Sequence, residues 1–172
     1  MSDFPAPPLI LTLQLDEASH QHFNQLRQQH FPPERNYLEA HVTLFHHLPG
    51  PEQAAIHHHV SAVAAAQAPL HVRVSGVRFL GQGVAYTLEN AQLLALHRAL
   101  QQHWAAWLTP QDRQPLRPHV TVQNKVLPAV ARSLHEQLSQ EFTPFEATGT
   151  GFTLWAYQNG PWQELAQFPF QG

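Results

Sequence analysis

The 172-residue chain contains no cysteine. Disulfides, thiolate nucleophiles and thiolate metal sites are therefore excluded, and a reducing compartment is compatible with the sequence. Charge is also scarce, at 12% of residues, with nine Lys plus Arg against twelve Asp plus Glu. That leaves no polybasic footprint for a long nucleic acid bound by counterion release, although a small or end-bound nucleotide stays open as a partner. Apolar runs long enough to span a membrane are missing, and Met1 to Pro5 lack the basic-then-apolar layout of a signal peptide. A soluble cytoplasmic protein without membrane association is expected.

What is present is a 43% apolar fraction, enough to bury a real core, and 14 histidines. Acidification through about pH 6.5 therefore adds up to 14 positive charges to a net charge of −3. Period-two alternation predicts strands at 9–15, 41–48, 70–88 as a pair turning at Gly81-Gln82-Gly83, 119–126, and 145–168 as a pair turning at Asn159-Gly160. Helices are expected from Asp16 to about His30, from Glu52 to about Gln67, from Asn90 through Trp107, and from Pro128 to about Phe142. Leu93, Leu96, Leu100, Trp104 and Trp107 mark the buried stripe of the third.

Within this series one pattern occurs twice. His41-Val42-Thr43-Leu44 and His119-Val120-Thr121-Val122 each place an imidazole and a hydroxyl two residues apart on an apolar strand, hence on one face. So many histidines supply about 0.7 His-x-Thr triplets by chance, and demanding apolar neighbours lowers the expectation to about 0.1. The two copies also sit at matching places in a repeated order of strand, helix, motif strand, Pro-initiated helix and hairpin. Approximate repeat units are 9–89 and 90–170 of one domain spanning 1–172. A pseudo-twofold between them would bring the motif strands face to face.

Two imidazoles on opposite sides of a phosphorus atom suit in-line displacement, one activating water and the other protonating the departing ribose oxygen. Thr43 and Thr121 would hold the non-bridging oxygens. Neither a metal nor another cofactor is needed. Acid and base are not distinguished by sequence.

The doubled motifs, AHVTLFHHLP and RPHVTVQNKV, resemble those of the 2H phosphoesterase superfamily, in its bacterial 2′-5′ RNA ligase-like branch. The resemblance covers nearly the whole chain. It implies a bilobal α+β fold with antiparallel sheets lining a central cleft and helices outside. It also implies hydrolysis of 2′,3′-cyclic or related cyclic phosphates of ribonucleotides or RNA ends, with RNA 2′-5′ ligation in some members. By position, His41 and His119 look like the acid/base pair, with Thr43 and Thr121 as phosphate binders.

Unbroken strand alternation puts Phe45 and His47 on the face of the first motif, and Gln123 and Lys125 on that of the second. Phe45 is a candidate base-stacking ring or a core aromatic. Gln123, Lys125 and Arg117 are candidate phosphate or ribose contacts, with a strand end polar for solubility alone as the alternative for the first two; Arg35 and Tyr37 read as a solvated loop or, alternatively, a cleft wall. A metal site among His46, His47, His57, His58 and His59 is disfavoured, because consecutive helical residues point about 100° apart. A non-catalytic nucleotide-binding module remains the alternative of another class.

Overall fold

The computed structural model describes residues 6–172, so Met1 to Pro5 lie outside the described residues. Seven strands and four helices follow one another as β1 (Leu9–Leu15), α1 (Glu17–His30), β2 (Val42–Leu48), α2 (Gln53–Ala66), β3 (Leu70–Phe79), β4 (Val84–Glu89), α3 (Ala91–His103), β5 (His119–Gln123), α4 (Pro128–Glu141), β6 (Phe145–Tyr157) and β7 (Trp162–Pro169). The fold is α+β, and every strand pairing is antiparallel.

Local chemistry sets most of these boundaries. The Asp16 carboxylate accepts the Ser19 N–H (3.1 Å) and the Thr148 N–H (2.8 Å), capping α1 and tying it to β6. Asn90 caps α3 through the Leu93 N–H at 2.7 Å. Pro128 starts α4 where a missing N–H costs nothing. The buried residues recur at helical spacing: Ser19, Phe23 and Arg27 in α1, and Leu93, His97 and Leu100 in α3. Trp104, expected inside α3, lies just past its end and is still fully buried.

The strands form one continuous open sheet in the order β2-β1-β6-β3-β4-β5, with β7 added beside β6. The 13-residue β6 is the shared element. One of its edges pairs with β1, while the other pairs with β3 over Phe145–Gly149 and with β7 over Gly151–Tyr157. Two four-stranded wings result, β2-β1-β6-β7 and β6-β3-β4-β5. Each draws strands from both halves of the sequence, so the hairpin β3-β4 stands beside β5 rather than β2. Although β2 and β5 end the hydrogen-bonded path, they return to within 8 Å of each other between Cα atoms. The curvature thus brings the two motif strands together.

Both motif strands are shorter than alternation predicts. His41 precedes β2, and β5 ends at Gln123 because Lys125 has φ 62° and turns the chain. Among the described residues no helix is long and apolar enough to cross a membrane.

Candidate active site

Each motif histidine turns back on its own chain. The Nδ1 of His41 lies 2.7 Å from the Glu39 carbonyl oxygen, and that of His119 lies 2.8 Å from the Arg117 carbonyl oxygen. A carbonyl only accepts, so in both rings Nδ1 carries the proton and Nε2 is the free basic nitrogen. The tautomers are therefore matched. Burial pushes His41 down to about 4 against the Glu39 hydrogen bond, which favours protonation, and the charges of Arg27, His119 and His46 lower it further. His119 is lowered in the same way, by burial first and then, against the Arg117 carbonyl, by Arg78 and His46.

The hydroxyls lie on rows that cross the wings. Thr43 pairs with Thr12, which pairs with Thr153 and then Gln167, a polar row on the first wing. On the second, Thr121 pairs with Ala85, which pairs with Arg78. A small Ala between them leaves the Arg78 side chain on the Thr121 face. The sequence offered no signal for this cation, because β3 pairing had to be known first.

Past each Thr the alternation breaks. Register passes from Thr43↔Thr12 to Phe45↔Leu11, and from Thr121↔Ala85 to Gln123↔Val84, so Leu44 and Val122 are each one residue in excess. These are matching β-bulges, and a bulge shifts all later side chains by one face. Phe45 thus leaves the motif face that unbroken alternation gave it, and of its two readings the core aromatic holds: it is fully buried, stacked on His97 (4.6 Å between centroids) and edge-on to Trp104 (5.2 Å). Gln123 is likewise displaced, buried against α4 beside Ala129 and Ser133 with its Oε1 unpartnered. Lys125 is exposed beyond the strand end. Arg117 gives the site its carbonyl, while its side chain is exposed.

Packing residues hold the bulges open. His97 donates Nε2–H to the Leu44 carbonyl at 2.9 Å. Gly83 is required opposite the second bulge, since a Cβ there would sit 1.9 Å from the Gln123 carbonyl oxygen. A second irregularity sets His46 and His47 together opposite Ile10, and both of their N–H groups donate to the buried Asp112 carboxylate at 2.8 Å. The His46 ring donates Nδ1–H to the same carboxylate at 3.2 Å. Of the neighbouring histidines it is His46, then, whose charge bears on both motif rings, where alternation pointed to His47.

Two buried charges brace the motif strands across each other. Arg27, in α1, donates Nε–H to Asn36 Oδ1 (2.8 Å) and the Leu38 carbonyl (2.9 Å), and Nη1–H to the Thr121 carbonyl (3.0 Å). It therefore joins the approach to the first motif to the second strand. Asp112, in the approach to the second motif, holds the first strand. Arg27 has no ion-pair partner among the described residues, and its positive charge stays beside His41.

A cavity of about 400 Å³ runs from His41 along the polar face of the first wing, lined by Thr12, Thr153, Trp155, Glu164 and Gln167. A smaller one of about 220 Å³ adjoins it between His41, Tyr37, Trp155 and Trp162. Of the four motif side chains, His41 lines both cavities; Thr43, His119 and Thr121 line neither. Tyr37 is thus a cleft wall, whereas Arg35 stays exposed outside both cavities. The histidines of α2 point apart, His57 onto Phe168 and His59 onto His103. No group of three metal-ligating side chains occurs among the described residues.

Comparison with known proteins agrees with this architecture. The family model of the 2′-5′ RNA ligase superfamily matches residues 15–161. Among solved structures, TT0787 of Thermus thermophilus superposes with a TM-score of 0.68 at 17% identity, over 96% of this chain and 98% of its own. Escherichia coli LigT complexed with 3′-AMP gives 0.61 at 18% identity, over 97% and 99%. LigT complexed with NADP+ gives 0.58 at 17% identity, also over 97% and 99%. No curated protein matches the chain in sequence. With both motifs inside the matched span and the same fold over nearly the full length, the chain belongs to the 2′-5′ RNA ligase superfamily, the LigT-like branch of the 2H phosphoesterases.

Proposed function

We propose that the protein is a metal-independent phosphodiesterase that opens 2′,3′-cyclic, or related cyclic, phosphates of ribonucleotides or RNA ends. The observation that carries this reading is the matched pair of imidazoles, each with Nδ1–H pinned to a carbonyl and Nε2 free, on adjoining strands. His41, the more strongly depressed of the two, is the base: its neutral Nε2 takes a proton from water as the water oxygen bonds to phosphorus. His119 is the acid: its protonated Nε2 gives that proton to the ribose oxygen as the P–O bond breaks. A nucleoside monophosphate leaves with the ring opened.

Thr43 and Thr121 donate to the non-bridging oxygens, and Arg27 and Arg78 supply the positive field in which an anion settles. That LigT structures hold 3′-AMP and NADP+ supports a small nucleotide as the ligand here. The family's name favours a second use of the same groups, RNA 2′-5′ ligation, in which a ribose 2′-hydroxyl replaces water.

The test is turnover, in EDTA, of nucleoside 2′,3′-cyclic phosphates and of oligonucleotides ending in one. Wild type is expected to hydrolyse them, and His41→Ala and His119→Ala each to lose about 10²-fold or more in kcat. Absence of turnover on the whole panel, or full activity in both variants, sinks the reading. Joining of tRNA halves, rather than trimming of their cyclic ends, would favour ligation.

A further inference from the structure

The smaller cavity has a chemistry that the phosphate site does not use. Three of its walls are aromatic: Tyr37 from the loop before β2, Trp155 from β6 and Trp162 from the start of β7. Trp162 lies 4.7 Å from the His41 ring and 5.9 Å from Trp155, centroid to centroid. The Trp155 indole N–H is spent on Thr12 Oγ1 at 3.0 Å, which fixes that ring. Tyr37 stays 61% exposed, a large ring left uncovered at the mouth. Flat π faces beside a phosphate site suit a nucleobase, whichever it is.

The polar groups of the pocket narrow the choice. Two main-chain acceptors each already receive a hydrogen bond, Glu39 O from His41 and Leu38 O from Arg27. The Glu39 carboxylate is not. Its Oε2 accepts from His20 Nε2 at 2.9 Å, and Oε1 has no partner among the described residues. Each carboxylate oxygen has two acceptor positions, so both can still receive hydrogen bonds from a ligand. The adjoining cavity adds the carboxylates of Glu17 and Glu164. The pocket therefore offers negative charge and acceptors. With the Glu39 side chain 74% exposed at the rim, that chemistry disfavours a second phosphate group and suits a flat group with N–H donors.

Among the bases, guanine alone presents two parallel donors, N1–H and the 2-amino group, that match one carboxylate. Adenine and cytosine present a single amino group beside an acceptor nitrogen, and uracil presents one N–H between two carbonyl oxygens that a carboxylate repels. We propose that the Tyr37–Trp155–Trp162 pocket is the base subsite and that Glu39 makes it selective for guanine. This rests on the phosphodiesterase reading, which places the phosphate at His41.

The experiment compares kcat/KM for the 2′,3′-cyclic phosphates of guanosine, adenosine, cytidine and uridine in wild type, Glu39→Gln and Trp162→Ala. In parallel, binding of guanosine and adenosine 2′-monophosphates is measured by calorimetry. Wild type is expected to prefer guanine over adenine about tenfold or more. Glu39→Gln should bring the two within about twofold, and Trp162→Ala should weaken all four bases alike. Equal kcat/KM on all bases in wild type, or a guanine preference untouched by Glu39→Gln, overturns the proposal and leaves the phosphodiesterase reading intact. Glu39-dependent preference in binding without turnover on any substrate would uphold the pocket and refute the phosphodiesterase reading.

Discussion

His41 and His119 owe their free Nε2 atoms to carbonyls two residues upstream, so their tautomers depend on main chain rather than on a neighbouring side chain. Arg27 acts on His41 in two separable ways, through its charge and through the carbonyls it gathers. If His41 is the base, as proposed, it must be neutral, and kcat/KM should rise with pH through its value of about 4 in the free protein. Arg27→Gln removes the charge, so that acid limb is expected to move upward in pH, burial still holding His41 below an ordinary imidazole. Arg27→Lys keeps the charge and should leave the limb in place, while kcat falls as the fork to Leu38 and Thr121 is lost. Both are read from one pH–rate series. Phe45 belongs to the core instead: Phe45→Ala is expected to cost about 3–5 kcal/mol in denaturant unfolding.

At the level of the strand, the paired bulges at Leu44 and Val122 explain why alternation located the His-x-Thr faces and then failed two residues later. A bulge is a property of pairing with a neighbour, and no single strand sequence declares it. Farther along β2, at its second irregularity, Asp112 accepts the main-chain N–H groups of His46 and His47 at the strand's open edge. Its carboxyl is held below the ordinary carboxylate range: burial alone would raise it, but the His46 ring and the His46 and His47 N–H groups outweigh that. Its contribution is therefore present above about pH 3.9 and lost as pH falls through the lower folded value. Asp112→Ala is expected to destabilise by about 2 kcal/mol or more, because two N–H groups and an imidazole lose their acceptor. Asp112→Asn, which keeps an acceptor oxygen, should recover part of it, as measured by the urea midpoint at pH 7.

Over the whole molecule, β6 serves both wings, and each wing mixes strands from the two halves of the chain. Fragments 1–89 and 90–172 made separately are therefore expected to lack folded NMR dispersion, because β1 loses β6 in one and β5 loses β4 in the other. The histidine population also has a global consequence. His30, His41, His59, His97 and His119 are all lowered, with burial the first cause in each. Between their folded values and about 6.5 the unfolded chain binds more protons, so stability rises with pH through that window. The thermal midpoint should fall steadily on acidification from pH 6.5 toward 4, and more shallowly in His97→Gln.

The sequence by itself determined the order of elements, the caps at Asp16 and Asn90, and the four residues of the doubled motif, because capping, alternation and helical spacing are local and act within a few residues. The tertiary structure alone decided which strands stand side by side, where the bulges fall, and which cations surround the motif pair. Arg27 is 14 residues before His41 and Arg78 is 41 before His119, and only strand pairing and the curling of the sheet place their charges there. The same curvature makes Trp162, 121 residues beyond His41, the aromatic ring packed at a tilt against it. Two short stretches pointed to the family. Long-range packing built the cavity beside the doubled motif and set the electrostatics of its two imidazoles.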